Sequence, residues 1–145
     1  MRRFFLFCFP VLLLLAGCAP SGVDIPEGLS WRAQTLTDQE DGTLLAAWGN
    51  WADAWDAPLL DVTAQVEEGT VTLTDHTGGG VYSCVLTSME EAEPGTNVYA
   101  LTLPDHPEGY AVYGVTKHAD GKREATLYLV AADRCLCLTA PLSGD

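Results

Sequence analysis

Residues 60–74 read LDVTAQVEEGTVTLT, and this stretch decides the fold class. From Leu60 to Ala64 apolar and polar residues alternate, which is the period-two pattern of a strand with one buried face. A second alternating run begins directly after Glu68-Gly69, and a glycine at that point is typical of a tight hairpin turn. The stretch therefore predicts an antiparallel β-hairpin.

The same pattern continues towards the C-terminus of the chain. Short runs rich in Val, Leu, Tyr and Thr recur about every 10 to 14 residues, with turn residues such as Gly78-Gly79-Gly80 between them. They predict further strands over residues 81–87, 97–103, 110–117, 125–131 and 135–139. Strands at this spacing predict a mainly β fold, an antiparallel meander that closes into a small barrel or folds into a sandwich. Closure would remove the exposed edge strands on which other chains can add.

The segment before Pro58 allows two interpretations. Four large apolar residues follow helical spacing there: Leu44, Trp48, Trp51 and Trp55. A capping-box pattern at residues 37–40 would start such a helix, which predicts one N-terminal helix over about 38–56. Glycines and an asparagine inside the segment disfavour a helix, and a strand over residues 44–51 is the alternative.

With a strand in that segment, the chain resembles the small lipocalin-like barrels found in many bacterial lipoproteins. In those proteins a Gly-x-Trp element opens the barrel, and Gly49-Asn50-Trp51 matches it. The stretch from Gly121 to Leu129 is similar to their late hairpin. The resemblance covers about residues 43–138 and implies a lipocalin-like barrel rather than a particular activity.

The N-terminus has the layout of an export signal. Arg2 and Arg3 precede a short apolar run, and Leu15-Ala16-Gly17 leads directly into Cys18. The run is shorter than the roughly 20 apolar residues that a membrane-spanning helix needs. Leu-Ala-Gly-Cys resembles the lipobox of bacterial lipoproteins, which implies that Cys18 is acylated and anchors the chain in a lipid bilayer.

These features predict three regions: a signal peptide over 1–17, a lipidated tether over 18–28 that is rich in Pro, Gly and Ser, and a single β-rich domain over 29–145. Removal of 17 of the 145 residues leaves 128, enough for one domain with a hydrophobic core. The expected location is the bacterial cell envelope. Because Ala19 follows the cysteine, the resemblance implies the periplasmic side of the outer membrane in a Gram-negative host. Otherwise it implies the outer face of the cell membrane.

The chain is strongly acidic. Loss of Arg2 and Arg3 with the signal peptide takes the formal charge from −13 to −15. Such a surface repels phosphate backbones, so nucleic acid is not an expected partner. A basic envelope protein fits this charge.

Three cysteines remain in the predicted domain: Cys84, Cys135 and Cys137. An exported protein meets oxidising conditions, so one disulfide is expected. Cys135 and Cys137 lie two apart on one predicted strand and face the same side, which makes a bridge between them strained. The prediction is a disulfide that joins Cys84 to Cys135 or to Cys137.

The sequence shows no Gly-x-Ser-x-Gly elbow, phosphate-binding loop or zinc-hydrolase helix, so we predict no catalytic residue, cofactor or metal site and expect a non-enzyme. Three histidines lie in or beside predicted turns without the spacing of a metal site: His76, His106 and His118.

The tryptophans Trp48, Trp51 and Trp55 are the candidate ligand-binding residues, because aromatic side chains line pockets for apolar ligands and stack on sugar rings. The leading hypothesis is an envelope lipoprotein with a non-enzymatic binding domain for a small apolar ligand or an envelope partner. A periplasmic lysozyme-inhibitor-like protein is the alternative, because Val81-Tyr82-Ser83-Cys84 is similar to the Tyr-x-Cys opening of membrane-bound lysozyme inhibitors. A carboxylate-dependent hydrolase is the second alternative.

Overall fold

The computed structural model describes residues 23–89, 97–106 and 108–143. The signal peptide, Cys18 and the first part of the tether lie outside the described residues. Among the described residues, no helix combines the length and the apolar character needed to cross a membrane.

The described residues form nine strands and one short helix. The strands are β1 (Trp31–Asp38), β2 (Leu44–Ala47), β3 (Val62–Glu67), β4 (Thr70–Asp75), β5 (Val81–Ser88), β6 (Val98–Thr102), β7 (Gly109–Lys117), β8 (Arg123–Ala131) and β9 (Arg134–Leu142), and the helix is α1 (Asn50–Ala54). The predicted mainly β class and antiparallel meander are confirmed.

Strand β1 closes the sheet into a barrel. Its first residues pair with β3, and its length from Arg32 to Asp38 pairs with β9. The ring of β1 and β3 to β9 is thus a closed eight-stranded antiparallel barrel, consistent with a lipocalin-like barrel. Strand β2 stands outside this ring and pairs with the second half of β1, where Thr35 lies opposite Ala47.

The predicted hairpin of residues 60–74 is confirmed as β3 and β4. Six consecutive residue pairs join the two strands, and only Glu68 and Gly69 separate them. Both turn residues have positive φ angles, 49° and 79°, as a type I′ turn requires. Ala64 and Val66 point into the barrel, while Gln65 and Glu67 between them are exposed.

The barrel interior holds a packed apolar cluster. The largest fully buried side chains belong to six of the eight barrel strands: Trp31, Leu86, Leu101, Leu127, Leu138, Val71 and Cys84. No polar or charged residue of the described ranges is buried. Burial of a Leu side chain contributes about 1.5–3 kcal/mol, so this cluster supplies much of the stability of the fold.

The sequence pattern does not predict strand β1, because its apolar residues do not alternate regularly. Trp31 and Ala33 face the interior, but the register shifts between Ala33 and Thr35 and moves the next inward residue to Leu36. A β-bulge of this kind breaks the period-two pattern that identifies a strand in a sequence.

The predicted helix over about 38–56 is wrong. Strand β2 occupies Leu44–Ala47, and only Asn50–Ala54 is helical. The backbone N–H of Trp48 donates to the carbonyl of Gln34 on β1, so this part of the chain hydrogen-bonds to the sheet. Gly49-Asn50-Trp51 also does not open the barrel, because Gly49 precedes the short helix and β1 forms the first barrel strand.

The predicted tether is too long at its C-terminal end. Ile25 is buried in the barrel core and Val23 packs against it. The backbone N–H of Asp24 lies 3.4 Å from the hydroxyl of Tyr99. The packed domain therefore begins by Val23, before the predicted boundary at residue 29.

Candidate functional site

A groove of about 470 Å³ lies on the outer wall of the barrel, between helix α1 and the strands β1, β8 and β9. We call it the Trp groove. Its lining residues are Gln34, Thr35, Trp51, Trp55, Glu124, Thr126, Tyr128, Cys137 and Thr139. The groove is open to solvent on its outer side, so a ligand would lie against the wall rather than be enclosed.

The two indoles of the Trp groove are exposed and touch each other. Trp51 lies in α1 and Trp55 directly follows it, and the backbone N–H of Trp55 donates to the carbonyl of Trp51, so the two side chains share one side of the helical turn. Their ring centroids are 5.0 Å apart with the ring planes tilted by 48°. Each side chain is more than half exposed, Trp51 by 52% and Trp55 by 56%, whereas Ala52 on the other side of the helix is buried.

The segment that carries the indoles is held at both of its ends by Ala47. The backbone N–H of Ala47 donates to the carbonyl of Pro58 at 3.0 Å, and its own carbonyl accepts from Leu60 at 2.8 Å. Between these bonds, Gly49 and Asp56 have positive φ angles of 59° and 50°. The chain thus leaves the sheet after β2, makes one helical turn and returns to the same residue.

Trp48 does not line the Trp groove, unlike the other two tryptophans predicted as ligand-binding. Its indole lies against Arg32, with 3.9 Å between the guanidinium carbon and the ring centroid. Arg32 also forms an ion pair with Asp61, with 2.9 Å between Nη1 and Oδ1. Trp48 therefore supports the segment on which Trp51 and Trp55 lie.

The floor of the Trp groove is polar and consists of outward-facing residues of three strands. On β8, Thr126 and Tyr128 alternate with the buried residues Ala125, Leu127 and Leu129. Cross-strand pairing places Thr126 opposite Thr139 and Tyr128 opposite Cys137. The sequence did not predict this floor, because Gln34 and Thr35 on β1 join the residues of the β8–β9 hairpin only when β1 pairs with β9.

All three cysteines of the domain are free, so the predicted disulfide is not formed in this structure. Cys84 is buried in the core. Cys135 and Cys137 alternate with Leu136 and Leu138, which face the core, and therefore lie on the outer face of the wall. Cys84 thus faces the core while the other two thiols face outwards, so the three cysteines are not placed for the predicted bridge.

Burial raises the pKa of all three thiols. The pKa of Cys84 rises to about 11, and burial also raises the pKa of Cys135 and Cys137. The pKa of the Tyr128 phenol is raised by the adjacent Cys137 and by partial burial. Reactive cysteines have lowered pKa values, so these thiols lack the character of catalytic nucleophiles.

The histidines and carboxylates of the described residues do not assemble a metal centre. Among residues 23–89, 97–106 and 108–143, no group of three His, Cys, Asp or Glu could hold a metal ion. His76 hydrogen-bonds to Thr63 at 2.7 Å, and His118 lies 3.8 Å from Glu124.

Two carboxylates serve as turn acceptors. Hydrogen bonds from Thr43 and Thr77 lower the pKa of Asp41 and Asp75, respectively. A glycosidase general acid needs a raised pKa, so these two groups do not support a carboxylate-dependent hydrolase.

In comparisons with known proteins, no family model, no curated protein and no solved structure matches the chain.

Proposed function

We propose that this chain is a lipid-anchored protein of the bacterial envelope whose barrel is a non-enzymatic binding domain, and that its binding site is the Trp groove. The supporting observation is the pair of adjacent, half-exposed indoles of Trp51 and Trp55 on the outer wall. Two such side chains leave a large apolar area in water, which is unfavourable unless a ligand or partner covers it.

The filled interior supports a site on the outside of the barrel. Ligand-carrying barrels keep an open interior, whereas small barrels that fill it with side chains have no room there. Here Trp31, Leu127 and Leu138 are each at most 2% exposed and belong to the packed core. A small apolar ligand would therefore bind the wall rather than the interior.

The anchor would place this groove close to a membrane surface. Acylation of Cys18 is expected from the lipobox-like residues before it, and each buried methylene contributes about 0.8 kcal/mol to attachment. The packed domain begins by Val23, so only a few residues separate it from the bilayer. Ligands within reach are envelope molecules: lipids, glycans and basic envelope proteins.

A binding titration tests the proposal. The full chain, produced in an exporting bacterial host and reconstituted in nanodiscs of zwitterionic lipid, is titrated separately with lysophosphatidylcholine, palmitate, triacetylchitotriose and a basic lysozyme. Intrinsic tryptophan fluorescence is the readout. We expect at least one of these ligands to change the emission of the wild type and to lose this effect in Trp55→Ala.

The matched control is Tyr110→Ala, because Tyr110 is 45% exposed and lies outside the Trp groove. This variant should titrate as the wild type does. Emission that stays flat for all four ligands, or a response that Trp55→Ala leaves intact, would refute a binding site in the groove.

A further inference from the structure

The floor of the Trp groove offers hydrogen-bonding groups in a regular array. Thr126 and Thr139 lie directly opposite each other on β8 and β9, and Thr35 on β1 lies opposite Cys137. Gln34, Glu124 and Tyr128 complete the polar lining. Hydroxyl and amide groups both donate and accept, so this floor can satisfy a ligand that carries several hydroxyl groups.

The two indoles of the groove, in contrast to this polar floor, offer apolar aromatic surfaces. The face of an indole is the negative side of its quadrupole, and it attracts the weakly positive C–H groups of a flat, partly apolar ring. Trp51 and Trp55 are tilted by 48° relative to each other, so together they offer two differently oriented surfaces. A molecule with C–H faces and a hydroxyl edge would stack on the indoles and hydrogen-bond to the floor.

We propose that the Trp groove binds a neutral pyranose oligosaccharide. This inference rests on the proposed binding function and specifies its ligand class. A pyranose ring stacks its C–H face on Trp55 and turns its hydroxyl edge towards Thr126 and Thr139.

An acyl chain fits this groove less well. It would cover the hydroxyls of Thr126 and Thr139 and the carboxylate of Glu124 without offering any hydrogen bond in return. Desolvated polar groups without partners oppose binding. Sugar hydroxyls replace the lost water contacts of the same groups.

Charge selects a neutral sugar over an acidic one. Glu124 lines the groove, and the chain has a formal charge of −13 at pH 7. An anionic sugar would approach against this potential, and most strongly at low ionic strength. A neutral oligosaccharide encounters no such barrier.

The first test compares ligands on the full chain in nanodiscs. Triacetylchitotriose and maltotriose represent neutral sugars, trigalacturonate an acidic one and lysophosphatidylcholine a lipid. We expect at least one neutral trisaccharide to bind, trigalacturonate to bind about tenfold more weakly or not at all at low salt, and Trp55→Ala to weaken neutral-sugar binding about tenfold.

A second variant guards against misfolding of the tryptophan variant. Thr126→Val with Thr139→Val removes two floor hydroxyls while it keeps the β-branched shape that strands favour. We expect sugar binding to fall severalfold and the thermal unfolding midpoint to change little. The Tyr110→Ala control should bind the sugar as the wild type does.

Thiol protection locates the bound sugar independently of fluorescence. Cys137 lines the Trp groove, while Cys135, two residues away on the same outer face, does not. At alkaline pH, a saturating neutral trisaccharide should slow alkylation of Cys137 severalfold and leave the rate at Cys135 unchanged, as read by peptide mass spectrometry. Equal rates at Cys137 with and without sugar would overturn the assignment.

The sugar ligand class and the binding function of the groove can fail separately. If lysophosphatidylcholine or the basic lysozyme binds at Trp55 and neither neutral sugar does, the groove is a binding site but the ligand is not a neutral sugar. The ligand class is also wrong if trigalacturonate binds more tightly than either neutral trisaccharide. If nothing binds in a Trp55-dependent manner, both proposals fail.

Discussion

The guanidinium carbon of Arg32 lies 3.9 Å from the centroid of the Trp48 indole, so a barrel strand holds the start of the segment that carries the Trp groove. The same side chain pairs with Asp61, just after that segment returns to the sheet. Arg32 thus contacts both residues that flank the 12-residue segment 49–60, which carries the indoles.

Arg32→Met should weaken the attachment of residues 49–60 to the barrel and lower the stability of the protein. The substitution keeps much of the aliphatic stem but removes the cation–π contact and the ion pair, so we expect a loss of about 1 kcal/mol in the free energy of unfolding. Urea unfolding measures it. Lys122→Met is the control, because the Lys122–Asp120 pair is 3.9 Å long and exposed, and its removal should change stability by less than about 0.5 kcal/mol. Equal effects of the two substitutions would contradict the role of Arg32.

Gly69→Ala should destabilise the β3–β4 hairpin. Gly69 has a φ of 79°, a conformation that an L-residue with a Cβ adopts at a cost of about 1 kcal/mol. Gly114→Ala is the matched control, because Gly114 has no positive φ and a Cβ there would meet open space. Thermal unfolding should show a lower midpoint for Gly69→Ala and an unchanged or higher one for Gly114→Ala. The reverse order would argue against a type I′ turn at Glu68-Gly69.

The hairpin was predictable because its information is local. Alternation over residues 60–74 fixes which face of each strand is buried, and Gly69 supplies the turn. Strand β1 was not predictable, because the bulge between Ala33 and Thr35 interrupts the alternation of apolar and polar residues. The helical spacing holds for Trp51 and Trp55, but it misled for Leu44 and Trp48, because hydrogen bonds to β1 outweigh a short helical pattern there.

Part of the candidate site was also predictable, because the information for it is local in the sequence. Trp51 and Trp55 stand out as large aromatic residues close together in the sequence, and the structure brings them to one groove. Its floor depends on barrel closure, which places Thr35 near Thr126 and Thr139 from the other end of the chain. The pattern also puts Cys135 and Cys137 on one side of β9, but which side faces the core is settled only by packing.

Cys84 should make the protein less stable at alkaline pH. Burial raises the thiol pKa from 9.0 to about 11 in the folded state. Between these values the unfolded chain loses the proton while the folded chain keeps it, so unfolding becomes more favourable as the pH rises. The full contribution is present below about pH 9 and is lost towards pH 11, with an expected size of about 2–3 kcal/mol, of which about 2 kcal/mol is lost by pH 10.5.

Urea unfolding of the wild type and Cys84→Ala at pH 8 and pH 10.5, chosen to lie on either side of the unfolded thiol pKa, isolates this effect. Tyrosines also titrate in this range, and the pKa values of Tyr113 and Tyr128 are raised too, so the difference between the two proteins is the informative quantity. The wild type should lose more stability than Cys84→Ala. Parallel losses would show that Cys84 is not a buried neutral thiol.

Cys18→Ser should release the protein from its anchor. The resemblance of Leu15-Ala16-Gly17-Cys18 to a lipobox implies that only this cysteine accepts acyl chains, and two or more chains are needed for stable attachment. We expect Cys18→Ser to abolish labelling by an alkyne-tagged palmitate and to block signal-peptide removal. Cys8→Ser is the internal control, because Cys8 lies inside the apolar run and would be discarded with it. If Cys18→Ser still incorporates palmitate, or if Cys8→Ser loses it, Cys18 is not the anchor, and a binding site close to the membrane surface loses its support.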